Sequence, residues 1–244
     1  MKKIIIVGAS SGIGRCVAQE YIDDGNWMVG VAARRIKLLD ELKNLAPERV
    51  KAISIDVTSA DAEIRLQELI AETGGMDIFM LASGVGHQNP MLNADAENNT
   101  IDTNVKGFTT MIDAAYKYFH ENGKIGHIAA ITSIAGTRGL GVAASYSASK
   151  RYQWCYLDAI EQLAHMQQVK LSITDLRPGF VKTDLLADGK HYPFMLSAEY
   201  TAKAIKRAIE KRKRIKIINL AYAILVFFWR LIPRFVWRIM PVKN

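Results

Sequence analysis

The chain has 244 residues, half of them hydrophobic, which is enough for one well-packed α/β domain and excludes general disorder. Two cysteines, Cys16 and Cys155, and five scattered histidines exclude a disulfide framework and a metal cluster, and they favour a reducing, cytoplasmic compartment. The net charge of +8 is uneven: from residue 201 onwards twelve Lys/Arg face the single acid Glu210, so the rest sits near −3 and no general nucleic-acid binding is implied.

Ile4-Ile5-Ile6-Val7, after Met1-Lys2-Lys3, is too short an apolar run for a signal peptide and is followed by no small-residue cleavage site. It reads as a buried first strand, 3–8. The turn Gly8-Ala9-Ser10-Ser11-Gly12-Ile13-Gly14 then opens a helix over 12–24. Glycines there let the backbone approach a pyrophosphate, and the helix N-terminus offers free N–H donors and a favourable dipole. A simple strand-to-helix turn is the alternative for this motif alone.

A second strand, 28–32, runs into Ala33-Arg34-Arg35. An acid near this place would bind the ribose 2′-hydroxyl of NAD, but no carboxylate is in reach. A guanidinium suits a 2′-phosphate through a bidentate fork, so NADP(H) is favoured over NAD(H). For Arg35 the alternative is a solvated, basic start to the next helix.

Strand patterns follow at 51–55, 77–82, 125–132, 170–175 and 215–218, with helical patterns at 60–72, 97–121, 144–167 and 198–211. Near-continuous apolar strands alternating with helices predict a doubly wound, Rossmann-type α/β fold with a mostly parallel sheet. One domain over 1–212 is expected, with 213–244 as a last strand and an apolar, basic C-terminal extension.

Within the helix at 144–167, Tyr146 and Lys150 are four residues apart and share a face. A cation beside a phenol favours the phenolate and lowers its pKa, making a usable general acid or base. Ser133 lies thirteen residues upstream. Tyr-x-x-x-Lys alone is common on helices; joined to the glycine turn and the serine in this order it is specific.

These motifs resemble those of the short-chain dehydrogenase/reductase family over roughly residues 3–212. The glycine turn matches, with Val7 where threonine is usual, and Asp56-Val57 matches the adenine-contacting pair. Ala82-Ser83-Gly84-Val85-Gly86 stands where the family has Asn-Asn-Ala-Gly, so both asparagines are missing. The resemblance implies that Asn104 anchors a water for proton relay, that Ser133 holds the carbonyl oxygen and that Tyr146 donates the proton. It implies that Lys150 tunes Tyr146 and binds the nicotinamide ribose. Pro178-Gly179-Phe180-Val181-Lys182-Thr183 matches the nicotinamide segment, with Val181 and Thr183 near the carboxamide. A homodimer or homotetramer, paired through the fourth and fifth helices, is the usual family assembly.

The resemblance also implies a substrate lid over 184–197. Leu185, Leu186, Tyr192, Phe194, Met195 and Leu196 offer an apolar lining, Gly189 a hinge and His191 a surface residue; a short helix packed into the core is the alternative. In the tail, Arg230, Arg234 and Arg238 recur every four residues among bulky aromatics. The longest apolar run is about half of the ~20 residues a spanning helix requires. This composition suits a helix lying in a membrane interface at residues 220–240, on the inner face of a membrane. Covering the substrate pocket and filling a subunit interface are its competitors.

The expected function is an NADP(H)-dependent interconversion of a ketone or aldehyde and an alcohol on a small apolar, lipid- or steroid-like substrate. The alternatives are a catalytically silent dinucleotide sensor or scaffold of the same fold and, with less room for a substrate domain, an epimerase or dehydratase.

Overall fold

In the computed structural model, residues 1–86, 88–183, 192 and 194–242 are described. Strands β1 (Lys2–Val7), β2 (Trp27–Ala33), β3 (Val50–Ser54), β4 (Ile78–Leu81), β5 (Gly126–Ile131), β6 (Leu171–Arg177) and β7 (Ile215–Ile217) form one sheet. Its order is β3-β2-β1-β4-β5-β6-β7, and every pair is parallel. The chain builds outward from β1 to β3, then crosses back to place β4 on the other side of β1. Such a reversal opens a crevice at the carboxyl ends of the strands, where open α/β sheets bind ligands.

The strands are apolar on both faces because helices cover both. Ile5, Val7, Phe79, Leu81 and Ile128 meet α3 (Ala62–Glu72), α5 (Phe108–Glu121) and α6 (Ala144–Met166) through Leu66, Ile112, Phe119 and Leu157. Ile4, Ile6, Val29, Val31, Met80 and Leu176 face α1 (Gly12–Asp24), α2 (Ile36–Leu45) and α7 (Ala198–Glu210) through Val17, Tyr21, Leu39, Ile205 and Ile209. Each fully buried Ile, Leu or Phe contributes about 1.5–3 kcal/mol, so the two layers hold the sheet in register. Alternation along β1 decides which side chain serves which layer.

Two departures from the sequence pattern bear on the site. The helix predicted over 97–121 is split into α4 (Ala94–Ile101), a π-helical turn at Asp102–Gly107 and α5. Gly107 allows the turn to press on the loop after β3, since a Cβ there would lie 2.7 Å from Val57 Cγ2. Strand β6 runs to Arg177, two residues past its predicted end, because Asp175 and Arg177 are buried and paired.

The last strand forms as predicted and belongs to the sheet. Beyond it, α8 (Leu220–Leu231) and α9 (Arg234–Trp237) return to the carboxyl end. Tyr222 and Val226 bury themselves against Ile134, Phe180 and Leu196. The Tyr222 hydroxyl accepts from the Phe180 N–H at 3.0 Å and donates to the Phe194 carbonyl at 3.1 Å. Arg138 donates to the carbonyls of Trp229, Arg230 and Ile232, closing the C-terminal end of α8. Among the described residues no helix is long and apolar enough to cross a membrane.

Candidate active site

The carboxyl ends of β1, β2 and β4 converge on the glycine turn. Gly8 has φ +97, and a Cβ there would lie 2.4 Å from the Ser83 nitrogen; one at Gly14 would lie 2.2 Å from the Gly8 oxygen. The Gly8 and Ala9 N–H groups donate to the Ala32 carbonyl at 2.7 and 3.1 Å, and those of Ala82 and Ser83 donate to Val7 at 2.7 and 3.1 Å. At Gly8 and Gly14 backbone thus meets backbone too closely for any side chain. Ser11 precedes α1 without capping it, so the first N–H groups of that helix stay open to a ligand.

A cleft of about 260 Å³ follows, lined by this turn from Gly8 and Ser10 to Gly14, by Arg34, Arg35, Asp56 and Val57, by Ala82, Ser83 and Gly84, and by Tyr146, Lys150, Pro178 and Thr183. Arg35 is no loose start to α2. Its guanidinium donates to Ser10 Oγ at 3.1 and 3.3 Å and to Ser11 Oγ at 2.6 Å, so it lies over the glycine turn. Arg34 is exposed at the rim beside Asp56. Burial opposes ionisation of Asp56, but hydrogen bonds from the Thr58 N–H and hydroxyl, with Arg34 nearby, outweigh it and hold the carboxyl below its usual range.

Gly179 and Val181, expected in the cofactor site, do not line this cleft. A Cβ on Gly179 would lie 2.3 Å from the Tyr222 ring, so its bareness seats the tail. Val181 is buried and bridges to Leu196. Pro178 and Thr183 do line the cleft: the Pro178 carbonyl accepts from Ile134 N–H at 3.0 Å, and Thr183 closes on Gly12.

Of the catalytic candidates Tyr146 and Lys150 line the cleft, whereas Asn104, also expected to touch the cofactor, and Ser133 are buried outside its lining. The π turn carries Asn104, fully buried, whose amide clamps Val85 at both ends: Nδ2 donates to Val85 O at 2.7 Å and Oδ1 accepts from Val85 N–H at 2.9 Å. Gly84 sits between Asn104 and Lys150, and a Cβ there would approach Asn104 Oδ1 at 3.3 Å and Lys150 Nζ at 3.4 Å. The bare Gly84 therefore keeps this crossing open. Ser133 Oγ accepts from Ala135 N–H at 3.1 Å and is hydrogen-bonded to Tyr146. Gly86 faces the Tyr146 ring, where a Cβ would lie 2.6 Å away.

The electrostatics differ from the expected depression of Tyr146. Burial pushes the phenol up, and the Ser133 hydrogen bond only offsets this in part. Lys150 lies 5.7 Å from the centroid of the Tyr146 ring, against its face. Burial lowers the Lys150 ammonium to about 8, with Asp175 opposing the shift. Excluding water disfavours the charged form of both groups, and the sequence spacing contains no measure of that exclusion.

Four polar residues escaped the sequence reading. Behind Ser133, Thr132 Oγ1 donates to Asp175 Oδ1 at 2.5 Å and accepts from Trp154 Nε1 at 3.0 Å. Arg177 pairs with Asp175 and stacks 3.6 Å from the centre of the Trp154 ring. Gln153 is fully buried beside Lys150. Asp175 and Arg177 stand two apart and so share one face of β6, and Gln153 follows Lys150 by three on one helix face; those are the signals available.

Of the lid residues, Leu185, Leu186, Gly189 and His191 lie outside the described residues. Tyr192 is buried against the Phe180 ring, centroids 4.6 Å apart, and Leu196 is half-buried, while Phe194 and Met195 are exposed. Among the described residues no three His, Cys, Asp or Glu side chains gather as a metal site.

The profile of the short chain dehydrogenase family matches residues 2–191. The chain belongs to the short-chain dehydrogenase/reductase family. An uncharacterized oxidoreductase of Myxococcus xanthus is 32% identical over 212 residues, 84% of this chain and 82% of that one. A farnesol dehydrogenase of Aedes aegypti is 26% identical over 90% of this chain and 94% of its own. A solved short-chain dehydrogenase from Streptomyces avermitilis shares the fold with a TM-score of 0.79 at 22% identity, covering 93% of this chain and 91% of that one. This family member is an NAD(P)-dependent oxidoreductase, and its glycine cradle, open helix N-terminus and adjoining arginines fit a dinucleotide.

Proposed function

We propose that the protein is an NADP(H)-dependent enzyme interconverting a ketone or aldehyde and an alcohol on an apolar substrate beside an anionic membrane surface. The observation that carries the reaction is that Tyr146 and Lys150 line the dinucleotide cleft together, with Ser133 hydrogen-bonded to Tyr146. A bound nicotinamide supplies or accepts the hydride. The Tyr146 hydroxyl gives its proton to the carbonyl oxygen, and Ser133 hydrogen-bonds the same oxygen as charge develops. Lys150, charged below about pH 8, stabilises the phenolate left behind. Asn104 keeps Val85 and the adjacent wall of the cleft in place.

The end of β2 carries Arg34 and Arg35 and no carboxylate, and both arginines line the cleft, which favours a 2′-phosphate. The similarity to a farnesol dehydrogenase agrees with a hydrophobic alcohol.

The membrane reading rests on the outer face of the tail. Leu220, Ile224, Phe227, Phe228 and Leu231 recur at helical spacing and are 50–74% exposed, and Phe235 and Ile239 continue the patch. Arg230, Arg234 and Arg238 are exposed beside it. Apolar side chains facing outward with guanidinium groups alongside match an anionic bilayer surface.

The test of the chemistry follows NADPH absorbance with farnesal and decanal. Tyr146→Phe should abolish turnover and leave NADPH affinity within about twofold, because only the proton donor is lost. Lys150→Ala should damage both. Retention of more than a few per cent of activity by Tyr146→Phe overturns the mechanism.

A further inference from the structure

Gln153 is fully buried on α6, one turn beyond Lys150, and both ends of its amide are engaged. Oε1 accepts from the Lys150 ammonium at 3.1 Å, and Nε2 donates to the Asn104 carbonyl oxygen at 3.0 Å. The chemistry forces this orientation, since an ammonium only donates and a carbonyl only accepts. One planar side chain therefore ties the π turn to Lys150.

We propose that Gln153 is a positioning residue that holds the Lys150 ammonium at Tyr146 by bridging it to the Asn104 carbonyl, a place where the family resemblance implies ordered water. The proposal rests on the reading of Tyr146 and Lys150 given above. Among the described residues Lys150 has one other protein acceptor, the Ile131 carbonyl, and that contact is long at 3.4 Å. A buried ammonium stays charged only when its N–H groups find acceptors, so the Gln153 oxygen supports the charged form. Among the described residues, the titratable and charged groups around Lys150 are Tyr146 on its own helix and Asp175 on β6, the latter paired with Arg177. Gln153 thus acts beside one carboxylate whose charge is already engaged. An amide does not pass a proton on as water does. Its part is to fix the ammonium, and it leaves the transfer itself to other groups.

A residue that merely fills space makes the opposite demand from one that bridges. Gln153→Met keeps the volume but neither accepts nor donates. Gln153→Ala loses volume but opens room for a water able to make both hydrogen bonds. If packing is the role, Met is the milder change; if bridging is the role, Ala is. Gln153→Glu gives a third comparison, because a carboxylate beside Lys150 strengthens the charged form.

The experiment uses the full-length protein with lysine labelled at Cε, following the Lys150 amine through its pH titration by NMR and assigning it with Lys150→Met. Kinetics with NADPH and decanal are run in parallel, with Tyr146→Phe as control. The Lys150 titration should fall by roughly one pH unit in Gln153→Met and rise by a similar amount in Gln153→Glu. The turnover number should drop about tenfold or more in Gln153→Met, with its alkaline limb moved down, and less in Gln153→Ala. A Lys150 titration unchanged in both Met and Glu variants, or Met outperforming Ala, overturns the proposal. Should Gln153→Met fail to fold, the contrast between Ala and Glu titrations decides the same point. If Tyr146→Phe stays active, the catalytic reading fails, while the amine titration still judges the bridge.

Discussion

The glycine turn and the outer face of α8 are opposite kinds of surface on one small molecule. At Gly8 and Gly14 an added Cβ would lie 2.4 and 2.2 Å from backbone atoms, whereas Phe227, Phe228 and Leu231 stand about 60% exposed. The first region is determined from inside, because close backbone crossings leave one acceptable residue type. The second has little internal reason for its composition, since Tyr222 and Val226 on the other face already dock the helix. An apolar residue that the fold does not need points to something outside the fold.

The strongest way to break this contrast is to change one residue in each region. Gly14→Ala places a methyl group against a fixed backbone oxygen and should cost about 2–4 kcal/mol or prevent accumulation of the protein. Phe228→Ser should stay within about 0.5 kcal/mol, as exposed substitutions do. Urea unfolding of both variants measures the difference. Similar losses would mean that the α8 face is structural after all.

Lys150 sharpens the same contrast with the opposite sign, because here the site is worse for stability than its replacement. Its folded pKa, about 8, lies below the ordinary lysine value of 10.5, so the unfolded chain binds more protons between those values. The associated stability is therefore present above about 10.5 and is lost as pH falls to about 8. Lys150→Met should raise stability at pH 7 by about 1–3 kcal/mol while abolishing activity, and should flatten the rise above pH 8. Thermal melts from pH 6 to 10 read this directly, and a destabilised variant would refute it.

For the tail, binding to vesicles should need anionic lipid and weaken in high salt, with each of the three arginines contributing ~1 kcal/mol near the surface. A chain ending at residue 219 should lose binding and keep NADPH affinity. Sedimentation with and without anionic vesicles checks both. Dissociation of subunits on truncation, with no vesicle binding by the full chain, would instead assign the patch to an oligomer interface.

The smallest expected effect concerns cofactor choice. Arg34→Asp should lower kcat/KM for NADPH by about tenfold to a hundredfold and improve NADH use, since it exchanges a phosphate partner for a hydroxyl partner. Arg35→Asp should in addition loosen the turn that Arg35 ties through Ser10 and Ser11. Equal wild-type efficiency with NADPH and NADH would remove the assignment of these arginines.

Much of this molecule was legible before folding. Each of the seven strands lies within two residues of its predicted span, and the inner ones do so because a strand covered on both faces leaves a continuous hydrophobic signature. The positions of the glycine turn, Ser133, Tyr146 and Lys150 were readable because their spacing is local: one turn, one strand end, one helical repeat. The π turn at Asp102–Gly107 was not, since it depends on Gly107 meeting Val57, a contact across fifty residues.

By itself, the sequence determined the α/β layering, the glycine cradle and the residue types of the site, all consequences of periodicity and local geometry. The tertiary structure alone decided which way charge shifts there: burial moves Tyr146 up and Lys150 down, against the simple expectation for a neighbouring pair. It also decided that Arg35 lies over the turn, that Gly179 serves the tail and that Gln153 joins Lys150 to Asn104. Desolvation and long-range contacts are properties of the assembled interior, where residues far apart in the chain come to exclude water from one another.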